Sequence, residues 1–192
     1  MKKKFLAVFA SLFVFGSVSS FAFDWSQCWC NYGGGVEKGD FILHVDAGLG
    51  DWLVWNAYDW YYDTWSAPYV EVGLNYAGSI GKLPFTFGGF VGADFHGYKD
   101  SGYDYTWTTI SFGGDIAYHI QLPPEIIDVY TGLRLGGKVA LLFTDLDVED
   151  KTDFDILYDP YIGANFFFTD SFGLNVELAY ENWIRAGLSF KF

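Results

Sequence analysis

Basic residues, cysteine, proline and methionine are all scarce in this sequence. Its 192 residues include 11 Lys and Arg against 24 Asp and Glu, two Cys, five Pro and one Met. A formal net charge of −13 excludes nucleic acid as a partner, because a polyanion is held by Lys and Arg that neutralise its phosphates. Two cysteines exclude a disulfide scaffold. Cys28 and Cys30 form a Cys-x-Cys pair whose ring would be small and strained, so a structural disulfide and a reduced pair both stay open. Too few ligands accompany them for a metal site. Trp25-Ser26-Gln27 before Cys28 do not make a lipidation motif. Beyond the first residues no run of about 18–20 apolar positions exists, which excludes a transmembrane helix.

Rings and glycine are abundant instead: 20 Phe, 14 Tyr, 8 Trp and 23 Gly. An ordinary acidic soluble domain carries more Lys and Glu and fewer rings. A secreted soluble β-protein is the alternative that this composition leaves open.

The N-terminus reads as a signal peptide over residues 1–22. Lys2, Lys3 and Lys4 precede an apolar stretch from Phe5 to Gly16, and Ser20-Phe21-Ala22 supplies small side chains at −3 and −1. Cleavage after Ala22 leaves residues 23–192, and losing three lysines takes the net charge from −13 to −16.

Eight segments alternate with period 2: Asp40–Trp52, Tyr69–Ala77, Phe85–Phe95, Thr108–Leu122, Val129–Phe143, Ile156–Phe168, Phe172–Tyr180 and 184–192. In each, one face carries no charge and the other is polar or small, as in Ile184, Ala186, Leu188, Phe190 and Phe192 against Arg185, Gly187, Ser189 and Lys191. Nine or ten residues suit a tilted strand crossing a bilayer. The connections Gly78–Pro84, Pro123–Asp128 and Thr169–Ser171 are short, whereas Leu53–Pro68, His96–Trp107 and Thr144–Asp155 are long. Glu181–Trp183 is a tight exception. Short turns at one end and long loops at the other belong to a transmembrane barrel. Hydrocarbon requires closure, since an open edge would leave backbone groups unsatisfied. The expected fold is all-β, an eight-stranded antiparallel up-and-down transmembrane β-barrel over residues 40–192, with residues 23–39 as a periplasmic N-terminal segment. Pro160 makes the sixth strand locally suspect.

An eight-stranded interior is about wide enough to be filled by side chains. The charged inward set, Glu71, Asp94, Asp115, Arg134, Lys138, Glu177, Arg185 and Lys191, with Asp159, predicts a network of ion pairs along the axis. His44 and His119 share that face as hydrogen-bonded lumen residues. Between Asp51 and Ser66, Trp52 and Trp65 suit an interfacial girdle. Trp55, Tyr58, Trp60, Tyr61 and Tyr62, interleaved with acids, suit recognition of a sugar or a host protein. The acidic run Asp145, Asp147, Glu149, Asp150, Asp153 and Asp155 fails the EF-hand pattern, with Asp150 where Gly is required and Ile156 where Glu should stand. It reads as a solvated loop, so neither a metal nor a cofactor is expected.

The signal peptide and the terminal Phe192, with Phe190 on the same face, resemble the signature of small eight-stranded bacterial outer-membrane barrels of the OmpA/OmpX/OmpW kind. That resemblance implies recognition by the barrel assembly machinery, residence in outer-membrane lipid, and a monomer. A non-catalytic structural or adhesive barrel follows. The alternative is an OmpW-like passive channel for small hydrophobic molecules, motivated by Pro160, which could permit a lateral opening. Lipid A-modifying barrels need His and Ser near a carboxylate; His96, Asp100 and Ser101 share one expected loop, but no His-x-Ser pair or nucleophile elbow accompanies them.

Overall fold

The computed structural model describes residues 35–49, 63–100, 103–120, 122, 126–144 and 151–192. These form β1 (Phe41–Gly48), β2 (Asp63–Ile80), β3 (Leu83–Asp100), β4 (Tyr103–Ile120), β5 (Ile127–Thr144), β6 (Lys151–Thr169), β7 (Phe172–Ala179) and β8 (Trp183–Lys191). Each strand pairs antiparallel with the next and β8 returns to β1, closing the barrel. Phe41 and Phe192 exchange backbone hydrogen bonds of 2.8 and 3.0 Å at that seam.

Followed from Asp46 through Glu71, Gly92, Ser111 and Lys138, the register reaches Asp155 in β6. Followed the other way through Gly187 and Asn175 it reaches Asn165. The barrel is therefore staggered by ten residues, which for eight strands corresponds to a tilt of about 40°.

Burial is inverted relative to a soluble core. Val72, Leu74, Val91, Phe112, Leu135, Ile156, Leu178 and Leu188 point outward and are exposed, whereas Asp46, Glu71, Arg134, Asp159, Glu177 and Arg185 are buried inside. Water would oppose this at about 25 cal/mol per Å² of apolar surface, whereas hydrocarbon favours it. The belt is that of a protein spanning a membrane, and the alternating segments supply it because successive side chains of a strand point to opposite faces.

β2 to β6 run 18 or 19 residues, whereas β1, β7 and β8 run eight or nine. Much of the sequence expected as long loops is strand. Asp63–Pro68 belongs to β2, His96–Asp100 and Tyr103–Trp107 to one hairpin, and Lys151–Asp155 to β6. Alternation is a signal only while one face is apolar. Past Phe95 the outward positions become Gly97, Lys99, Asp104 and Thr106, so the contrast fades although the ladder continues.

Pro160 sits within a continuous β6, opposite Leu133. The last β6–β7 pair is Tyr161 with Ala179, and Pro160 O accepts the Tyr180 N–H at 3.1 Å. Its ring nitrogen therefore faces Tyr180 of the β7 side at the point where that ladder ends, so the β5 ladder is untouched and the one bond forgone is the reciprocal bond to Tyr180.

Candidate functional site

Two arginines reach across the middle of the lumen. Arg134 on β5 donates from both terminal nitrogens to Glu177 on β7, at 2.9 and 3.1 Å. It also faces Glu71 at 3.2 Å and Asp115 at 3.8 Å. Arg185 on β8 meets Asp159 at 2.8 Å, Glu177 at 3.0 Å and Glu71 at 3.3 Å. The Tyr161 ring lies 4.2 Å below the Arg134 guanidinium, and Tyr69 and Tyr130 donate to Glu71 and Glu177 at 2.8 and 2.9 Å. Bidentate guanidinium–carboxylate pairing suits such a dry crossing. Acids outnumber bases here, and Asp46, 2 % exposed, has no hydrogen-bond partner for either oxygen among the described residues.

Of the charges expected to form the lumen network, Glu71, Asp115, Arg134, Glu177 and Arg185 come together here, with Asp159. Lys138, Asp94 and Lys191 point inward but meet other partners. Lys138 pairs with Glu181, Asp94 faces the His96 ring at 3.6 Å, and Lys191 stands 3.8 Å from Asp40. Tyr69, Tyr130 and Tyr161 lie on the polar face by parity, the one sequence signal that could have found them.

Toward the end that carries the termini, the lumen is lined by histidine, amide, hydroxyl and carboxylate side chains. His119 contacts Asp128 at 2.8 Å and Thr86 at 3.1 Å, His44 contacts Ser189 at 3.1 Å, and Asn165 donates to Asp128 at 2.9 Å. Residues before β1 fold back over this mouth, where Val36 packs with Ile42, Ala77 and Phe167. Lys191 hydrogen-bonds the Gly35 carbonyl.

Above the arginines the lumen opens into a cup of about 270 Å³. Its walls carry two inward rows read from the register: Asp94, Thr109, Ala140 and Asp153, then Gly92, Ser111, Lys138 and Asp155. Lys138–Glu181 and Arg185–Asp159 form part of its floor and side. The tall strands beyond bear Trp65, Tyr98, Tyr103, Tyr105 and Trp107, with Tyr98 and Tyr105 stacked at 4.7 Å. His96 lies on β3 against Asp94. Ser101, the side chain of Asp100, the cluster Trp55, Tyr58, Trp60, Tyr61 and Tyr62, the run Asp145–Asp150, Cys28, Cys30 and the signal segment lie outside the described residues. At the seam, Phe192 is exposed outward with its ring 6.5 Å from Phe41, and Phe190 lies 5.4 Å from Phe172.

No family model and no curated protein sequence matches the chain. Among solved structures, it is similar to Ail, the attachment invasion locus protein of Yersinia pestis, in complex with the heparin analogue sucrose octasulfate. The two share 10% identity at a TM-score of 0.51, covering 81% of this chain and 99% of Ail. The N-terminal β-barrel domain of Pseudomonas aeruginosa OprF aligns at 13% identity and TM-score 0.48, over 81% and 98% of the two chains. Neisserial surface protein A aligns at 17% and 0.44, over 80% and 96%. With its closed ring of eight strands and its apolar belt, the chain has the fold of the small outer-membrane β-barrels.

Proposed function

We propose that this chain is a bacterial outer-membrane barrel that conducts no solute and uses its far end for recognition. Residues 1–22 direct export, the termini lie in the periplasm, and the tall ends of β2 to β6 stand outside the cell. The observation that carries the reading is the Arg134–Glu177 and Arg185–Asp159 crossing, which occupies the lumen with paired charges that are costly to separate. Phe190 and Phe192 act as the assembly signal, and the protein is a monomer in outer-membrane lipid without enzymatic activity.

Recognition rests on the aromatic and acidic far end. Exposed rings beside carboxylates suit neutral sugars or a basic protein surface. The sulfated ligand in the Ail structure is a poor guide, since a net charge of −13 repels polyanions. The cluster Trp55, Tyr58, Trp60, Tyr61 and Tyr62 belongs to this surface in the proposal.

Planar-bilayer recording tests the plug: the purified barrel should show no conductance above leak, and steady open channels would overturn the reading. Glycan or host-protein binding should fall when Trp55, Trp60 and Tyr61 are replaced by Ala. Binding that survives would remove these residues from the recognition surface.

A further inference from the structure

We infer that the cup is a binding site for a linear polyamine, an alkyl chain with ammonium groups toward both ends; this rests on the far end facing the outside. Five carboxylates, one lysine, one arginine and His96 line the cup, the His96 ring 3.6 Å from Asp94. Arg185 holds Asp159 at 2.8 Å, and Lys138 holds Glu181. The remaining three, Asp94, Asp153 and Asp155, have no Lys or Arg partner among the described residues. Asp94 Oδ1 accepts no hydrogen bond. Asp153 and Asp155 accept only the backbone N–H groups of Phe154 and Ile156, at 2.9 and 2.8 Å. Like charges gathered in a recess with protein walls focus a negative potential that draws in a cation.

Two further side chains point to a bound polar ligand. Ser111 and Asn182 are 3 % and 8 % exposed, yet both line the cup and neither side chain has a hydrogen-bond partner among the described residues. Each offers an oxygen to an ammonium group.

The placement of the acids selects the shape of the cation. Asp94 stands on β3, whereas Asp153 and Asp155 stand on β6, with β4 and β5 between them. Three inter-strand steps around the wall separate the two groups by on the order of 10 Å across the cup. A metal ion needs oxygens that converge on one point, and no group of three acid or His side chains among the described residues does so. A chain with a charge toward each end reaches both walls, and its methylenes pass Leu157, Ala140 and Tyr69.

Calorimetric titration of the detergent-folded full-length protein with spermidine at low salt tests this. One saturable site is expected, weakened about tenfold by Asp94→Asn and again by Asp153→Asn with Asp155→Asn, and unchanged by Asp104→Asn, whose partner is Lys99 at 3.4 Å. Asp153 and Asp155 are exposed, so their double variant folds even if Asp94→Asn does not. Absence of saturation, parental binding by these variants, or tighter binding of Mg²⁺ than of spermidine would each overturn the assignment. Conductance of the same preparation separates the two readings. An open channel that binds spermidine sinks the plug alone, and a silent barrel that does not bind sinks the cup alone.

Discussion

Arg134 and Glu177 are joined across the barrel by two hydrogen bonds of 2.9 and 3.1 Å, although β6 lies between their strands. The guanidinium spans past its ladder partners Asp115 and Asp159 to reach a third wall, so one side chain ties together four carboxylates from four strands, with Glu71 the fourth.

Arg134→Ala should therefore do two things at once. It leaves those carboxylates to Arg185 alone, a loss of about 3–5 kcal/mol for a broken buried pair, read as a lower urea midpoint of the detergent-folded barrel. It also removes half of the crossing, so single-channel conductance should rise above that of the parent. A variant with parental stability and parental silence would show that the crossing neither supports nor closes the barrel.

The terminal mouth depends on a different contact. Val36 is 2 % exposed and packs with Ile42, Ala77 and Phe167. Val36→Ala removes two buried carbon groups, a loss of about 2 kcal/mol, whereas Lys38→Ala nearby, on an exposed position, should change the unfolding midpoint little. Equal midpoints for the two variants would mean that the segment before β1 does not seal the mouth.

Strand count, facing and closure were all legible in the sequence because alternation reports which face a residue occupies. It does not report height along the axis. Asp94, Lys138 and Lys191 share a face with Arg134 yet lie at other levels, since level follows from the stagger of ten residues, a property of the closed ring rather than of any strand. Tyr69, Tyr130 and Tyr161 were obscured for another reason: a tyrosine is apolar by composition, and its hydroxyl becomes informative only when a carboxylate stands opposite. Alternation already put Asp94 and Lys138 on the inner face, but the cup itself was not legible, because which inward residues share a level, and that Asp153 and Asp155 continue the β6 ladder, follow from the register of the closed ring.

Gly113 and Gly136 are paired neighbours in β4 and β5. A Cβ on Gly113 would collide with the Leu135 carbonyl oxygen, and one on Gly136 with that of Phe112. Both obstacles are backbone and cannot turn aside, so Gly136→Ala should prevent the two strands from pairing at this spacing. The heat-dependent mobility shift of the folded barrel on a detergent gel should fall or vanish. A full shift would show that the sheet relaxes there at little cost.

Phe192 contributes two backbone bonds to Phe41 and a stacked ring, all at the edge of the barrel. Phe192→Ala retains the backbone bonds, so refolding into detergent should change little. Assembly in cells should fall several-fold if the terminal ring is what the assembly machinery reads, as measured by the heat-shifted fraction in outer-membrane preparations. A matching loss in both assays would make the ring a packing element only.

Pro160 separates a plugged barrel from one that opens sideways. A proline that broke the β6–β7 ladder would create a gap for apolar solutes, and restoring the N–H would close it. Here the proline nitrogen faces β7 just beyond the last pair, Tyr161 with Ala179, while its carbonyl still accepts the Tyr180 N–H. A new N–H could add only the reciprocal bond to Tyr180 at the very end of that ladder, and the paired stretch from Tyr161 to Phe167 needs no repair. Pro160→Val should raise stability by no more than about 1 kcal/mol, the worth of that single bond, and leave uptake of a small hydrophobic dye into proteoliposomes at the level of the parent. A fall in uptake on this substitution would reinstate the lateral passage and require that β6 and β7 part below Pro160, where Tyr161 through Phe167 are paired.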